Sequence, residues 1–256
     1  MIFAQKLKKM QKSNNSLLCV GLDPQTKSLF LFCKKIIDQT YDLVCAYKPN
    51  SAFFEGYGAT GVEELKKVIN YIHKKHPLIP VILDFKRGDI GSTNEGYIKY
   101  AFEYLKADAV TIHPYLGQEA VQNFLDYKDK GIIILCKTSN PGSNEFQNLT
   151  LPNKRTIYKQ VARQVSAKWN RNNNCLLVVG ATYPKELKDV RKIVGDDMDI
   201  LIPGIGAQGG DLIGTLKAGL NKVKRGLIIN SSRGIMYAKN PREEALKLRE
   251  EINKYR

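Results

Sequence analysis

Eight short apolar runs, each followed by an amphipathic stretch, constrain this chain more than any other feature. The runs are Leu17–Leu22, Leu43–Tyr47, Val81–Leu83, Ala109–Ile112, Ile132–Cys136, Leu176–Val179, Ile200–Ile202 and Leu227–Ile229. Helix-like segments lie near 28–39, 61–75, 94–106, 118–128, 155–172, 184–194, 210–219 and 242–254. Continuous apolar runs, without polar alternation, are what parallel strands buried on both faces look like. Strands alternating with helices argue an α/β fold. Eight such units in 256 residues match a single (β/α)8 TIM barrel rather than an open doubly wound sheet. Residues 1–13 read as an extra helix before the first strand. No Pro/Gly/Ser-rich linker or composition shift divides the chain, so one domain over 1–256 is expected.

In a barrel of this kind the chemistry sits where the strands end. The most informative stretch is Asp84-Phe85-Lys86-Arg87-Gly88-Asp89, which follows Val81-Ile82-Leu83. It reads as a polar loop at the end of a buried strand. Lys48 follows the second strand, and Lys48, Asp84, Lys86 and Asp89 are expected to point into the barrel mouth. One reading is a structural ion-pair network. The other is a reaction that handles a buried anion: a carboxylate flanked by lysines keeps them charged. Lys86 would then donate a proton, and Asp84 would repel a negatively charged substrate group.

The loops after strands 7 and 8, Pro203 through Asp211 and Asn230 through Ile235, are rich in glycine and polar residues. Glycines let backbone N–H groups approach an anion, a helix N-terminus follows, and Arg233 offers a bidentate phosphate contact. Gly204, Gly206 and Gly209 spell Gly-x-Gly-x-x-Gly, but late in the chain and without an acidic partner about 20 residues on, so a dinucleotide site is not indicated. His73 and His76 read as surface residues at a helix end beside Lys74 and Lys75. His113, at a strand end, is open between substrate contact and packing. No nucleophile elbow and no Cys/His spacing for a metal occurs.

The net charge is +15, from 40 basic and 25 acidic residues. The basic residues are spread along outer helix faces without a basic tract. That reads as solvated surface that raises association rates with anions, and no nucleic-acid partner is inferred from it. The five cysteines include no C-x-x-C pair and read as buried free thiols in a reducing compartment. The first residues lack the apolar core of a signal peptide, and no apolar run reaches the roughly 18 residues of a membrane span. A cytoplasmic protein without a membrane partner is expected.

In order along the chain, eight motifs resemble those of the orotidine 5′-phosphate decarboxylase family, in its branch with the Leu-Asp-x-Lys-Arg-Gly-Asp-Ile-Gly signature. They are Gly21-Leu22-Asp23-Pro24, Lys48 through Glu55, Leu83 through Thr93, Pro114 through Gly117, Lys137 through Ser143, Val179 through Thr182, Pro203 through Asp211 and Ser232 through Ile235. The resemblance implies decarboxylation of orotidine 5′-monophosphate to UMP, with no metal and no organic cofactor. It implies a catalytic tetrad of Lys48, Asp84, Lys86 and Asp89. In it Lys86 protonates C6, Asp84 stresses the substrate carboxylate, and Lys48 bridges Asp84 and the ribose hydroxyls. It further implies a homodimer in which Asp89, with Ile90 and Thr93, serves the neighbouring subunit's site. Asp23 is implied to bind ribose, and Ser139 to read the pyrimidine amide. Gln208 would bridge pyrimidine and phosphate in the Pro203 loop, and Gly234 with Arg233 would hold the phosphate. The chain ends after one barrel, so no fused orotate phosphoribosyltransferase is expected. The conformation of the loop between Ser143 and Leu151 stays open.

Two alternatives remain at this point. One is a Mg2+-dependent sugar-phosphate enzyme of the same superfamily, such as a 3-hexulose-6-phosphate synthase or 3-keto-L-gulonate-6-phosphate decarboxylase, which shares Asp-x-Lys-x-x-Asp. The other is a non-catalytic phosphate or RNA binder built on a barrel.

Overall fold

The structure is a computed structural model, described over residues 1–206 and 209–256. Strands β1 (Leu18–Leu22), β2 (Ala46–Pro49), β3 (Ile82–Arg87), β4 (Ala109–Ile112), β5 (Gly131–Lys137), β6 (Cys175–Val179), β7 (Ile200–Ile202) and β8 (Leu227–Ser231) pair in the order β2-β1-β8-β7-β6-β5-β4-β3. Every pairing in that sheet is parallel. Isolated bridges Tyr47–Val81 and Asn50–Asp84 join β2 to β3 and bring the sheet round into a barrel. All residues of β1, β6 and β8 are buried, as the unbroken apolar runs require.

Helix α1 (Phe3–Ser13) precedes the barrel. It is followed by α2 (Leu29–Thr40), α3 (Ala52–Glu55), α4 (Gly58–Lys75), α5 (Gly91–Ile98), α6 (Gly117–Leu125), α7 (Asn144–Gln147), α8 (Ile157–Gln164), α9 (Pro184–Val194), α10 (Leu212–Gly219), α11 (Arg233–Met236) and α12 (Pro241–Asn253). The stretches read as continuous helices over 94–106 and 155–172 each change pitch. α5 runs into a π-helical segment Lys99–Tyr104, and α8 into another at Val165–Trp169.

Helix α1 closes the floor of the barrel. The Phe3 N–H donates to the Asp129 carbonyl at 2.9 Å, and the Lys6 ammonium sits 2.6 Å from Asp108 Oδ1. The same Asp108 carboxylate takes the Val81 N–H at 2.9 Å and faces His73 Nε2 at 2.9 Å. His73 is therefore half-buried and pinned to the floor rather than a free surface residue. Burial opposes ionisation of Asp108, but His73, Lys6 and the Val81 amide together hold its pKa below the ordinary value. Nearby, the buried Arg191 guanidinium donates to the carbonyls of Gly219, Gly195, Met198 and Gly226 at 2.6–2.8 Å. The floor is held by these polar ties. The opposite end, where the strands terminate, is open.

All five cysteines are free and buried. Among the described residues, no helix is long and apolar enough to cross a membrane.

Candidate active site

A cavity of about 550 Å³ opens at the C-terminal ends of the strands. Its walls come from most of them: Asp23 after β1, Lys48 and Asn50 at β2, Asp84 and Lys86 on β3, Thr111 on β4, Thr138 through Asn140 after β5, Pro203 after β7, and Asn230 with Arg233 at β8. Leu135, Val178 and Leu201 supply apolar patches deeper in.

The charged wall is built around Asp84, which is 7% exposed. Its Oδ2 lies 2.8 Å from the ammonium of Lys48, itself 3% exposed. Its Oδ1 lies 2.6 Å from the Lys86 ammonium and accepts the Thr111 hydroxyl at 2.8 Å. Burial alone would raise the Asp84 pKa, but the two ammonium groups reverse that and hold it well below the usual carboxylate range. Burial alone would lower the Lys48 pKa, yet Asp84 and Asp23 hold it above the ordinary lysine value. The wall is thus an ion triplet at neutral pH. Removing either member of the buried Lys48–Asp84 pair leaves an unpaired charge, at about 3–5 kcal/mol, whereas the Lys86 side chain is 47% exposed and water offsets most of its loss.

The cluster is not in a loop, as its sequence suggests. Strand β3 runs through Asp84-Phe85-Lys86-Arg87, and its register against β4 shifts between Leu83 and Arg87. Lys86 takes a left-handed backbone (φ 46°), rare for a non-glycine residue. The Thr111 hydroxyl accepts the Lys86 N–H at 3.1 Å while donating to Asp84. One hydroxyl thereby fixes both the carboxylate and the strained backbone beside it. Thr111 escaped the sequence reading. Its only signal there is a hydroxyl inside the apolar run Ala109-Val110-Thr111-Ile112.

Asp89 is not on the wall of this cavity, whereas all four charges were expected to share one mouth. Neither Asp89 nor Ile90 nor Thr93 lies on the wall. The Asp89 carboxylate accepts the Ile90 N–H at 2.7 Å, and its backbone is held by the buried Asn94 side chain, which also bonds the Ala120 carbonyl. Ile90, and Tyr115 and Leu116 after β4, are exposed large hydrophobic residues. His113 has a packing role here. Its Nδ1 accepts the Tyr115 N–H at 3.4 Å, so Nε2 carries the proton and donates to the Gly88 carbonyl at 2.9 Å.

Asp23 Oδ1 and Asn230 Oδ1 are buried and, among the described residues, have no hydrogen-bond partner. Both residues line the cavity. Buried acceptors left open are costly unless a donor arrives. In the sequence Asn230 reads only as the start of the loop after strand 8, because the apolar run that marks β8 ends one residue before it; it is not singled out there as a site residue. Ser139 is set by close packing: a Cβ on Gly180 would come within 2.6 Å of Ser139 Cα, so only glycine fits there. Arg233 lies on the wall, and its neighbour Gly234 does not. Gln208 lies outside the described residues. The N-terminus of α10, a candidate phosphate donor, is occupied by its own Asp211, whose Oδ1 accepts the Gly214 N–H at 2.8 Å.

Among the described residues, no group of three or more His, Cys, Asp or Glu side chains is placed to hold a metal ion. Asp84 has both oxygens facing ammonium groups, which is a poor donor set for a cation.

A family model described as "Orotidine 5'-phosphate decarboxylase / HUMPS family" matches residues 16–248. The chain is 48% identical over a 274-residue alignment to the orotidine 5′-phosphate decarboxylase of Dechloromonas aromatica (strain RCB), covering 100% of both chains. It is likewise 48% identical to that of Cupriavidus necator, covering 100% of this chain and 99% of the relative. Among solved structures it is similar to Leishmania donovani OMP decarboxylase, with TM-score 0.93, 44% identity and coverage of 100% of this chain and 98% of the other. It is also similar to Leishmania donovani UMP synthase, with TM-score 0.95 and 46% identity, where all of this chain spans 56% of that longer one.

Proposed function

Because the chain belongs to the orotidine 5′-phosphate decarboxylase / HUMPS family, we propose that it converts orotidine 5′-monophosphate to UMP and CO2, the last step of UMP synthesis. The observation that carries this reading is the Asp84 carboxylate clamped between Lys48 and Lys86 on the wall of a 550 Å³ cavity.

The C6–carboxylate bond breaks with its electron pair left on C6. The Lys86 ammonium, fixed at 2.6 Å from Asp84, stabilises that developing carbanion and then donates its proton to C6. A fixed positive charge at the place where negative charge develops needs no reorganisation during reaction, and this preorganisation supplies much of the barrier reduction. Asp84 faces the departing carboxylate and raises its energy in the ground state. Lys48 holds Asp84 and reaches the ribose hydroxyls. The open acceptors Asp23 Oδ1 and Asn230 Oδ1 take hydrogen bonds from those hydroxyls. Ser139 reads the pyrimidine amide, Gln208 bridges pyrimidine and phosphate, and Arg233 with the Gly234 backbone in the Pro203 and Arg233 loops binds the phosphate. The phosphate is remote from C6, so its binding energy is available to order the site. The scheme uses neither metal nor organic cofactor.

Asp89, Ile90 and Thr93 fit a homodimer in which each subunit completes its neighbour's site. Their absence from their own cavity wall and the exposure of the apolar Ile90 support this. Five buried free thiols suit a reducing, cytoplasmic setting.

The test is the loss of orotidine 5′-monophosphate absorbance on mixing with the purified protein in EDTA. Metal-independent formation of UMP is expected. No conversion in EDTA, with activity on a sugar phosphate in Mg2+, would overturn the reading in favour of the Mg2+-dependent enzymes.

A further inference from the structure

One buried charge has no task in this mechanism. Lys137, the last residue of β5, is 0% exposed. Lysines this buried are almost always paired with a carboxylate. Here the ammonium instead donates to Ser143 Oγ at 2.8 Å and Asn144 Oδ1 at 2.7 Å, and lies 4.2 Å from the centre of the Tyr183 ring. From Ser143 the hydrogen bonds continue in one direction. Its hydroxyl donates to the Tyr183 hydroxyl at 3.4 Å, which donates to the Asn140 carbonyl at 3.3 Å. Burial lowers the Lys137 pKa, with Glu186 and Cys136 acting the other way, so the charge is held at a cost that a purely apolar residue would avoid.

What this charge fastens is the segment 138–147. It comprises Thr138 to Asn140, the tight turn Pro141–Ser143, in which only Ser143 is buried, and helix α7, in which no residue is buried. Phe146 points outward, 66% exposed. A segment with so little apolar packing opens readily unless polar contacts hold it. Gln147 clips Thr138 at both ends, accepting its N–H at 2.8 Å and donating to its hydroxyl at 2.9 Å. Thr182 donates to the Ser139 carbonyl at 3.1 Å. Thr138, Ser139 and Asn140 all line the cavity.

We propose that Lys137 is a positioning residue: its ammonium latches the 138–147 cap over the base end of the cavity and so sets how tightly the site holds a pyrimidine nucleotide. This rests on the assignment of Ser139 to the pyrimidine amide under the proposed function.

The variant Lys137→Met keeps an apolar stem of similar length and removes the charge. Ser143→Ala breaks the same chain of hydrogen bonds one step on. Calorimetric titration with UMP and with ribose 5-phosphate separates the base end from the phosphate end. For Lys137→Met, UMP should bind about ten- to a hundredfold more weakly, as expected for two lost charge-assisted hydrogen bonds, while ribose 5-phosphate stays within about twofold. Ser143→Ala should show the same pattern at smaller size. In turnover, KM for the nucleotide should rise more than kcat falls. If the wild type binds UMP and both folded variants bind it equally well, the latch is overturned and the functional reading stands. Equal weakening of UMP and ribose 5-phosphate would also overturn it, because a general structural lesion does not select the base. A wild-type protein that fails to bind UMP at all would overturn the functional reading and this inference with it. Should Lys137→Met fail to fold by circular dichroism, Ser143→Ala alone decides by the same criteria.

Discussion

Thr111→Val removes one hydroxyl from the centre of the site and almost nothing else. Valine nearly matches threonine in shape, so the change opens no cavity. What is lost is the 2.8 Å hydrogen bond to Asp84 Oδ1 and the acceptor for the Lys86 N–H at 3.1 Å. A hydrogen bond to a charged acceptor contributes about 1.5–3 kcal/mol, and an unsatisfied buried N–H costs about 1–3 kcal/mol more. Lys86 borders the cavity and its side chain is 47% exposed, so water can reach its backbone and most of the second cost disappears. A net destabilisation of about 2–3 kcal/mol is expected, read from urea unfolding. If the same bond holds the Lys86 ammonium in place during reaction, kcat should fall roughly thirty- to a hundredfold, since about 1.4 kcal/mol is a factor of ten. Thr111→Ser keeps the hydroxyl and should recover most of kcat while losing about 1 kcal/mol of stability with its methyl group. A valine variant within about 0.5 kcal/mol and twofold in kcat of the wild type would refute the idea that this hydroxyl positions the pair, because surface-like changes have effects that small.

Lys86→Ala should retain UMP binding by calorimetry and lose nearly all turnover; substantial remaining activity would rule out Lys86 as proton donor. Mixing Asp89→Asn subunits with Lys86→Ala subunits should restore part of the activity, through one site that carries neither lesion, and no recovery after verified subunit exchange would count against a shared site. The Asp84 carboxyl has a folded pKa depressed below its unfolded value of about 3.9. Its contribution to stability is therefore fully present above about pH 4 and is lost as the pH falls below that towards the folded pKa. Urea unfolding at pH 7 and pH 3 should show that loss in the wild type and a smaller one in Asp84→Asn.

The order of strands and helices was legible because buried parallel strands have to be apolar and their number and spacing fit only a few architectures. The element ends were less so. Strand β3 outruns its apolar core by four residues, since the residues that face the cavity are charged, and hydrophobicity cannot mark a strand whose last side chains do chemistry. Lys48, Asp84 and Lys86 stood out in the sequence and do meet in space. Thr111 did not stand out, and Asn230 stood out only as part of a loop, because a single polar residue within or just after an apolar run has no periodic signature. Asp89 was expected in its own subunit's mouth from its spacing alone. In the structure it is absent from the wall of that cavity. His73 read as surface because its partner Asp108 is 35 residues away in the chain, and long-range pairs leave no trace in local composition.

The most direct test of the central claim is the position of the new proton. In D2O with EDTA present, the wild-type protein should convert orotidine 5′-monophosphate to UMP carrying one deuterium at C6, seen as loss of the C6 proton signal in the NMR spectrum of the product. Unconverted nucleotide, or UMP formed only when Mg2+ is added, would contradict a metal-free decarboxylation completed by protonation at C6.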